Sequence, residues 1–97
     1  MDIGQAIKQL RIKHDMTQTQ LAERCGMSAN AISSIEIGKA FPPKNTIKRL
    51  CEVFDIPQSY LLVATIEEED FPEEKRVLYR ALLEPLRNEL LDKSEQA

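Results

Sequence analysis

The chain has 97 residues, a formal net charge of −3 and 42% hydrophobic residues. This length suits one small domain with an additional element, and the apolar content is too high for a fully disordered chain. Three glycines, five prolines and the absence of tryptophan argue against a collagen-like, linker-like or turn-rich all-β chain. Taken alone, the acidic total also counts against a nucleic-acid partner.

The first predicted helix begins after Asp2 and extends to about His14. Asp2 and Gln5 have the spacing of a capping pair at a helix N-terminus. The residues that follow show the i, i+3, i+4, i+7 apolar spacing of one buried helix face. That face consists of Ile3, Ala6, Ile7 and Leu10.

Two further short helices are predicted, joined by a very short connection. Thr17 and Gln20 form a second capping pair, and the helix they open is expected to end at Gly26, since glycine readily adopts a left-handed C-cap conformation. Ser28 is a good N-cap for the next helix, which is expected to end at Gly38. The inward positions of this helix pair are Leu21, Ala22, Cys25, Met27, Ile32 and Ile35.

A fourth and a fifth helix complete the predicted domain. Pro42 and Pro43 interrupt the helical pattern, because proline lacks a backbone donor and restricts the residue before it. The fifth helix is expected to start near Pro57. The inward positions are Ile47, Leu50, Cys51 and Phe54 on the fourth helix, and Tyr60, Leu61 and Leu62 on the fifth. The chain shows no sustained strand-like alternation, so we predict an all-α fold with a five-helix domain over residues 1–65.

The charge is divided unevenly between two segments. Residues 1–65 carry eight basic and six acidic side chains, a net charge of +2. Residues 66–97 carry five basic and ten acidic side chains, a net charge of −5. The negative total therefore belongs to the second segment, and the five-helix domain by itself is compatible with a nucleic-acid partner.

The second segment, residues 66–97, is predicted to be an acidic linker followed by an amphipathic helical extension. A helix is predicted from Pro72 to about Asp92, with a kink or break near Leu83 because of Pro85. The apolar stripe of this extension comprises Val77, Leu78, Ala81, Leu82, Leu86, Leu90 and Leu91. Such a stripe has to be buried, and the first expectation is pairing with a second copy of the chain, with folding back on the domain or contact with a different protein as the alternatives. The predicted pairing residues are Val77, Leu78, Ala81, Leu82, Leu86 and Leu90.

The segment TQTQLAERCGMSANAISSIEIGKAFP resembles the helix-turn-helix domain of the phage repressor and Cro type. The matching residues are Gln18, Leu21, Ala22, Gly26, Ile32, Ile35, Glu36, Gly38 and Pro42. The resemblance covers about residues 3–63. It implies a transcriptional regulator, in first place a repressor, that binds a palindromic double-stranded DNA operator as a homodimer. The second motif helix, near residues 28–36, would then enter the major groove.

The resemblance also implies which residues contact DNA. Gln18 would hydrogen-bond a phosphate at a helix N-terminus. Ala29, Asn30 and Ser34 match base-contacting positions, where asparagine pairs with adenine and alanine touches a thymine methyl. The remaining implied contacts are Ser28, which is first of all a cap, Ser33 and Lys39. Each of these side chains is otherwise an ordinary surface residue.

One implied contact is structural, and three residues depart from the family pattern. Arg11 and Glu36 match positions that pair between the first helix and the end of the recognition helix. Ile37 and Ala40 replace residues that are often polar or basic in the family, which removes possible phosphate contacts. Asp55 stands where glycine is usual, a replacement that aspartate tolerates because it can adopt left-handed geometry.

No catalytic site, cofactor or metal is predicted. Cys25 and Cys51 are interpreted as small buried hydrophobes, with a disulfide or redox role as the alternative. His14 is the only histidine, and it has no spaced nucleophile or set of metal ligands, so we interpret it as a surface or packing residue.

The cytoplasm is the predicted location. No apolar run approaches the roughly 18–20 residues of a membrane span, and the start MDIGQAIKQL does not resemble a signal peptide. The rival function is an antitoxin or other protein-interaction module that uses the same fold and binds a protein partner through its C-terminal helix.

Overall fold

Five α-helices build the first part of the computed structural model, which describes residues 2–91. They are α1 (Ile3–Lys13), α2 (Gln18–Cys25), α3 (Ala29–Glu36), α4 (Lys44–Phe54) and α5 (Gln58–Thr65). No strand occurs in the described range, and the predicted all-α fold class is confirmed. The third helix ends earlier than expected, since Glu36 is its last residue and Gly38 lies in the following turn.

Side-chain caps explain why the first three helices begin where they do. Asp2 accepts a hydrogen bond from the backbone N–H of Gln5 at 2.8 Å, and the Gln5 side chain accepts one from the backbone of Asp2 at 3.2 Å. Thr17 and Gln20 form the same reciprocal pair at 3.0 and 2.9 Å. The Ser28 hydroxyl accepts from the backbone N–H three residues further on at 3.1 Å. Each pair satisfies N–H groups that a helix start otherwise leaves unpaired.

Left-handed residues end two of these helices. Gly26 closes α2 with φ +68°, as the sequence predicts. Asp55 closes α4 with φ +56°, so the expectation that aspartate can replace glycine there is confirmed. The chain reverses sharply at both positions, which brings α2 against α3 and α4 against α5.

The core lies between the five helices, and two positions of α5 differ from the prediction. Its fully buried apolar side chains include Ile7, Leu10, Leu21, Ile32, Leu50 and Leu61. Leu61 and Ala64 form the buried face of α5, while Tyr60 and Leu62 are exposed, so their predicted inward orientation is wrong. Residues next to Leu61 in the chain point about 100° away from it, which places them at the sides of the helix.

The two cysteines are buried in the core, whereas the histidine is exposed and contacts an aromatic ring. Cys25 and Cys51 are free, buried thiols within the core, and burial raises the pKa of both. The His14 ring stacks at a tilt on Phe54, with 5.2 Å between ring centroids. Its Nδ1 lies 2.8 Å from the Leu10 carbonyl oxygen.

The C-terminal segment is helical but irregular. Two short 3₁₀ turns, Glu68–Asp70 and Glu73–Lys75, lead into α6 (Arg76–Leu78), a π-helical stretch (Tyr79–Leu83) and α7 (Glu84–Leu91). The π-helical stretch ends at Leu83, where the sequence predicts a break, and Pro85 follows in the first turn of α7. The predicted end near Asp92 lies outside the described residues.

Part of the apolar stripe folds back onto the domain. α7 packs against α1 and α5, and Leu91 contacts the core. Arg87 donates to the Ala64 carbonyl at 3.2 Å, and Lys13 donates to the backbone oxygen of Glu89. Tyr79, which the predicted stripe omits, is buried and donates its hydroxyl to the Ile66 carbonyl at 3.3 Å.

The rest of the stripe stays on the surface. Val77, Leu78, Ala81 and Leu82 are exposed, and we call these four residues the tail face. Folding back on the domain therefore does not cover this part of the stripe, and its burial against a second copy of the chain stays a prediction. Leu86 and Leu90 are half-buried, because they lie on the helix that covers α1 and α5.

Gly4 marks the point where α1 crosses the end of α3. A Cβ atom built on Gly4 would overlap the backbone oxygen of Ile35 and lie 3.1 Å from that of Glu36. The two helices therefore approach each other closely only because this residue has no side chain.

We expect Gly4→Ala to lower the free energy of unfolding by about 1 kcal/mol or more. Alanine normally stabilises a helix interior by about 0.5–1 kcal/mol relative to glycine, but overpacking of this kind costs about 1–3 kcal/mol. Urea denaturation measures the difference. Lys8→Ala, at an exposed site of the same helix, is the control and should change stability by less than about 0.5 kcal/mol. A Gly4→Ala chain as stable as the wild type would contradict the close approach.

Candidate nucleic-acid interface

The pair formed by α2 and α3 presents one face to the core and one to solvent. Leu21, Cys25, Ile32 and Ile35 are buried between these helices and their neighbours. Because the inward positions of α3 are fully used in packing, its remaining side chains face outward. The short connection at Gly26 holds the two helices in a fixed relative orientation.

The outward side of α3 is small and uncharged. Asn30 is exposed, and Ala29, Ser33 and Ser34 are partly exposed. These four lie at positions i, i+1, i+4 and i+5 of one helix, so they share one side of it. The backbone N–H of Lys39 donates to the Ser34 carbonyl at 2.9 Å, which folds the exposed Lys39 back beside the end of α3.

Ser28 has a defined structural role at this surface. Its hydroxyl oxygen caps α3, which leaves the hydroxyl proton available to a further acceptor. The sequence-predicted candidates Ser28, Ala29, Asn30, Ser33, Ser34 and Lys39 therefore lie on or directly beside α3.

A buried ion pair joins α1 to the end of α3. Arg11 Nε donates to Glu36 Oε2 at 2.7 Å and Arg11 Nη2 donates to Glu36 Oε1 at 3.1 Å. The side chains are 12% and 1% exposed, respectively. The third guanidinium nitrogen donates to the Met16 carbonyl at 2.9 Å, so the same arginine also holds the connection between α1 and α2. The structure thus brings together the pair that the resemblance implies.

Glu36 also binds Gln18, a contact that sequence reasoning missed. Gln18 Nε2 donates to Glu36 Oε1 at 3.1 Å, which ties the first residue of α2 to the last residue of α3. An amide nitrogen carries two N–H donors, and one of them is used by Glu36. The sequence assigns separate partners to Gln18 and Glu36, and no local spacing signals that residues 18 positions apart meet.

Arg11, Glu36 and Gln18 form a charge-balanced network. A buried carboxylate near a phosphate site would repel the phosphate, and the adjacent guanidinium offsets that charge. The network therefore fixes α3 relative to α1 and α2 without leaving an unpaired charge beside the candidate surface.

Gly4 is a second residue that sequence reasoning missed. Its contact with the backbone of Ile35 and Glu36 sets how closely α1 approaches the end of α3. The available signal was a glycine inside a predicted helix, which is destabilising there unless packing requires it.

Other kinds of site find no support in the described part of the chain. Residues 2–91 contain no group of three or more His, Cys, Asp or Glu side chains that could hold a metal ion. Within the same residues, none of the helices is both long and apolar enough to span a membrane.

Comparison with known proteins supports a helix-turn-helix motif formed by α2 and α3. A family model described as helix-turn-helix matches residues 7–61, which include α2 and α3. The uncharacterized HTH-type transcriptional regulator RghRB of Bacillus subtilis is 42% identical over 74 residues, 75% of this chain and 53% of that protein.

Two other relatives differ in their named functions. The HTH-type transcriptional repressor RghR of Bacillus subtilis is 43% identical over 60 residues, 61% of this chain and 44% of that protein. Antitoxin PezA of Streptococcus pneumoniae is 37% identical over 54 residues, 56% of this chain and 34% of that protein. The chain thus spans about half or less of the length of these relatives. No solved structure gives a significant match.

We expect Glu36→Gln to lower the free energy of unfolding by about 3 kcal/mol, because it leaves Arg11 buried without a counter-charge. Chemical denaturation measures the change. Glu23→Gln removes the same charge from an exposed site of α2 and should have an effect below about 0.5 kcal/mol. Equal effects of the two substitutions would show that the buried pair does not hold α3.

Proposed function

Since this chain belongs to the helix-turn-helix family of transcriptional regulators of the phage repressor and Cro type, we propose that it is a sequence-specific DNA-binding repressor. The observation that carries the proposal is the outward side of α3, short and uncharged, on a helix fixed by the Arg11–Glu36 pair. A helix of this kind fits the major groove without steric or electrostatic obstruction.

Each DNA contact is proposed from the position of its side chain. Asn30, the exposed residue in the first turn of α3, pairs with an adenine, while Ala29 touches a thymine methyl and Ser34 a base edge. Ser33, Ser28 and Lys39 contact the sugar–phosphate backbone. These residues read one half-site.

Gln18 is proposed to bind a phosphate with the amide N–H that Glu36 does not use. It is the first residue of α2, where the exposed backbone amides and the helix dipole favour an anion. The bond to Glu36 holds the side chain in one orientation before DNA arrives, which lowers the entropy lost on binding.

A homodimer on a palindromic operator is part of the proposal. Twofold symmetry of the protein matches twofold symmetry of the DNA and places two recognition helices about one helical turn apart. The exposed tail face is one surface for pairing in solution, because exposed apolar side chains in a cluster favour protein contacts. The predicted pairing residues Leu86 and Leu90 are half-buried in the fold, so we restrict the proposal to the tail face. A DNA-binding role also makes the cytoplasm the proposed location.

An antitoxin-like function is the second candidate. The exposed tail face and the similarity to Antitoxin PezA favour it. In that case the tail face covers a different protein while the helix-turn-helix still binds DNA. A neighbouring reading frame that encodes a toxin-like protein would favour this function over plain repression.

We expect Asn30→Ala to weaken binding to the preferred operator by about 5- to 100-fold, the loss of one bidentate base contact. Gln18→Ala should instead weaken binding to all sequences to a similar extent, because a phosphate contact carries no sequence information. The operator is first selected from random DNA, and affinities for it and for a scrambled duplex are then measured by fluorescence anisotropy at several salt concentrations. Unchanged affinity in both variants would refute the proposed docking.

We expect a Leu78→Asp, Leu82→Asp variant to be a monomer where the wild type is a dimer, as measured by sedimentation equilibrium. Two buried charges would oppose pairing through the tail face. This variant is preferable to deletion of residues 66–97, because α7 packs against α1 and α5. Asn88→Asp adds a charge at an exposed tail site outside the tail face and should leave the mass unchanged. A dimer that persists in the double variant would refute pairing through the tail face.

A further inference from the structure

The exposed side of α3 carries one side chain that can form two directed hydrogen bonds to a base. Asn30 is exposed and lies in the first turn of α3, and its amide group combines an acceptor oxygen with two N–H donors. Ala29 beside it offers a methyl group, while Ser33 and Ser34 offer short hydroxyls that are less selective between bases. Discrimination between bases by this helix therefore depends on Asn30 and Ala29.

The groups that recognise a G·C pair are absent from the surface of α3. Guanine is most often bound by arginine or lysine, which donate to its O6 and N7, and cytosine by a carboxylate, which accepts from its N4. The sequence of α3 contains no arginine or lysine, and its single carboxylate belongs to Glu36. That carboxylate is 1% exposed and binds Arg11 and Gln18, so it cannot reach a cytosine. The side chains of α3 therefore match A·T pairs.

An asparagine amide fits adenine through one particular hydrogen atom. The N6 amino group of adenine has two hydrogens, of which one pairs with thymine O4 and the other points into the major groove beside N7. The Oδ1 atom of Asn30 would accept from this second hydrogen while Nδ2 donates to N7. Guanine presents two acceptors, O6 and N7, at the same edge, and one amide cannot donate from both of its ends.

Methylation of adenine N6 removes the hydrogen atom on which this contact depends. The base pair with thymine keeps one N6 hydrogen, so the methyl group of a paired N6-methyladenine takes the place of the other, in the major groove. The Oδ1 atom of Asn30 would then face a methyl group instead of a donor. An acceptor that loses its partner on burial costs free energy, so the methylated base is rejected and not merely tolerated.

The first turn of α3 is held too firmly to adapt to such a change. The Ser28 hydroxyl accepts from the backbone N–H of Ala31 at 3.1 Å and so caps the turn that contains Asn30. The other end of α3 is anchored by the buried ion pair of Glu36. A shift of the helix by the size of a methyl group would stretch these contacts beyond hydrogen-bond distance.

Ala29 gives the same surface a contact for thymine. The 5-methyl group of thymine is the apolar group that a base pair presents in the major groove, and alanine is suited to contact it. Ala29 is partly exposed at the first position of α3. Uracil pairs with adenine as thymine does but lacks the methyl group, so it removes this contact alone.

We propose that each half-site contains an A·T pair whose adenine Asn30 binds through N6 and N7, together with a thymine methyl group that Ala29 contacts, and that methylation of this adenine at N6 prevents specific binding. The inference rests on the proposed DNA-binding function. It adds the class of base pair that is recognised and makes binding sensitive to the methylation state of the DNA.

The test uses the operator selected from random DNA, with N6-methyladenine placed at one adenine at a time. We expect methylation of one adenine in a half-site to weaken wild-type binding about 5- to 100-fold, as the loss of one bidentate base contact does. Asn30→Ala should bind the methylated and unmethylated duplexes with affinities that agree within about twofold, because it lacks the amide that senses N6. A scrambled duplex that carries N6-methyladenine controls for effects of the modification on the DNA itself.

A second series replaces one thymine at a time by uracil. For the wild type we expect one replacement to weaken binding about fourfold, the contribution of one buried methyl group. Ala29→Gly should show no such dependence, since it has no side chain to contact the methyl group. Affinities are measured by fluorescence anisotropy at one fixed salt concentration, and thermal unfolding of each variant verifies that the domain is folded.

Several results would overturn the proposal. If no single N6-methyladenine weakens wild-type binding to the operator, the adenine contact does not exist, although the DNA-binding function stands. Equal sensitivity of the wild type and Asn30→Ala to methylation would assign the contact to another residue. Selected half-sites without any A·T pair would also refute the inference. If the wild type binds no selected duplex, the proposed DNA-binding function fails instead.

Discussion

The buried ion pair between Arg11 and Glu36 is the constraint on which the position of α3, the proposed recognition helix, depends. Glu36 is the last residue of α3, and its carboxylate binds both Arg11 and Gln18. A charge that is 1% exposed requires such partners, because an unpaired buried carboxylate is strongly disfavoured. The end of α3 is therefore fixed relative to both α1 and α2. The packing of Gly4 against the same end sets the distance between α1 and α3.

Local sequence patterns predict most of the helices, whereas the contacts at the candidate site depend on tertiary structure. The pairs Asp2–Gln5 and Thr17–Gln20 act within a few residues, so their spacing alone predicts where helices begin. The bond between Gln18 and Glu36 joins separate helices, and only the packed fold brings them together. The resemblance to a family implies the Arg11–Glu36 pair, but it does not imply that Gln18 also binds Glu36.

The burial of side chains in the C-terminal segment also depends on tertiary structure and could not be predicted from local spacing alone. An amphipathic stripe indicates that a helix face needs a partner, but it does not identify which partner covers each turn. In the fold, Tyr79 turns inward and bonds to the Ile66 carbonyl, while neighbouring Leu78 remains exposed. The π-helical stretch that contains Tyr79 alters the regular 3.6-residue rotation on which the predicted stripe relies. This explains why a strict helical period did not identify Tyr79 as an inward residue.

A recognition helix with small, uncharged side chains has a consequence for how the proposed repressor achieves affinity. Non-specific binding depends on phosphate neutralisation by lysine and arginine, and α3 with the turn after it, residues 29–43, carries one basic side chain, Lys39. Alanine and serine supply little direct readout beyond what Asn30 provides. We therefore expect one half-site to bind weakly, so that the proposed homodimer supplies much of the affinity. Ile37 and Phe41 are apolar and exposed, so the turn after α3 offers few hydrogen bonds to the phosphate backbone beyond those of Lys39.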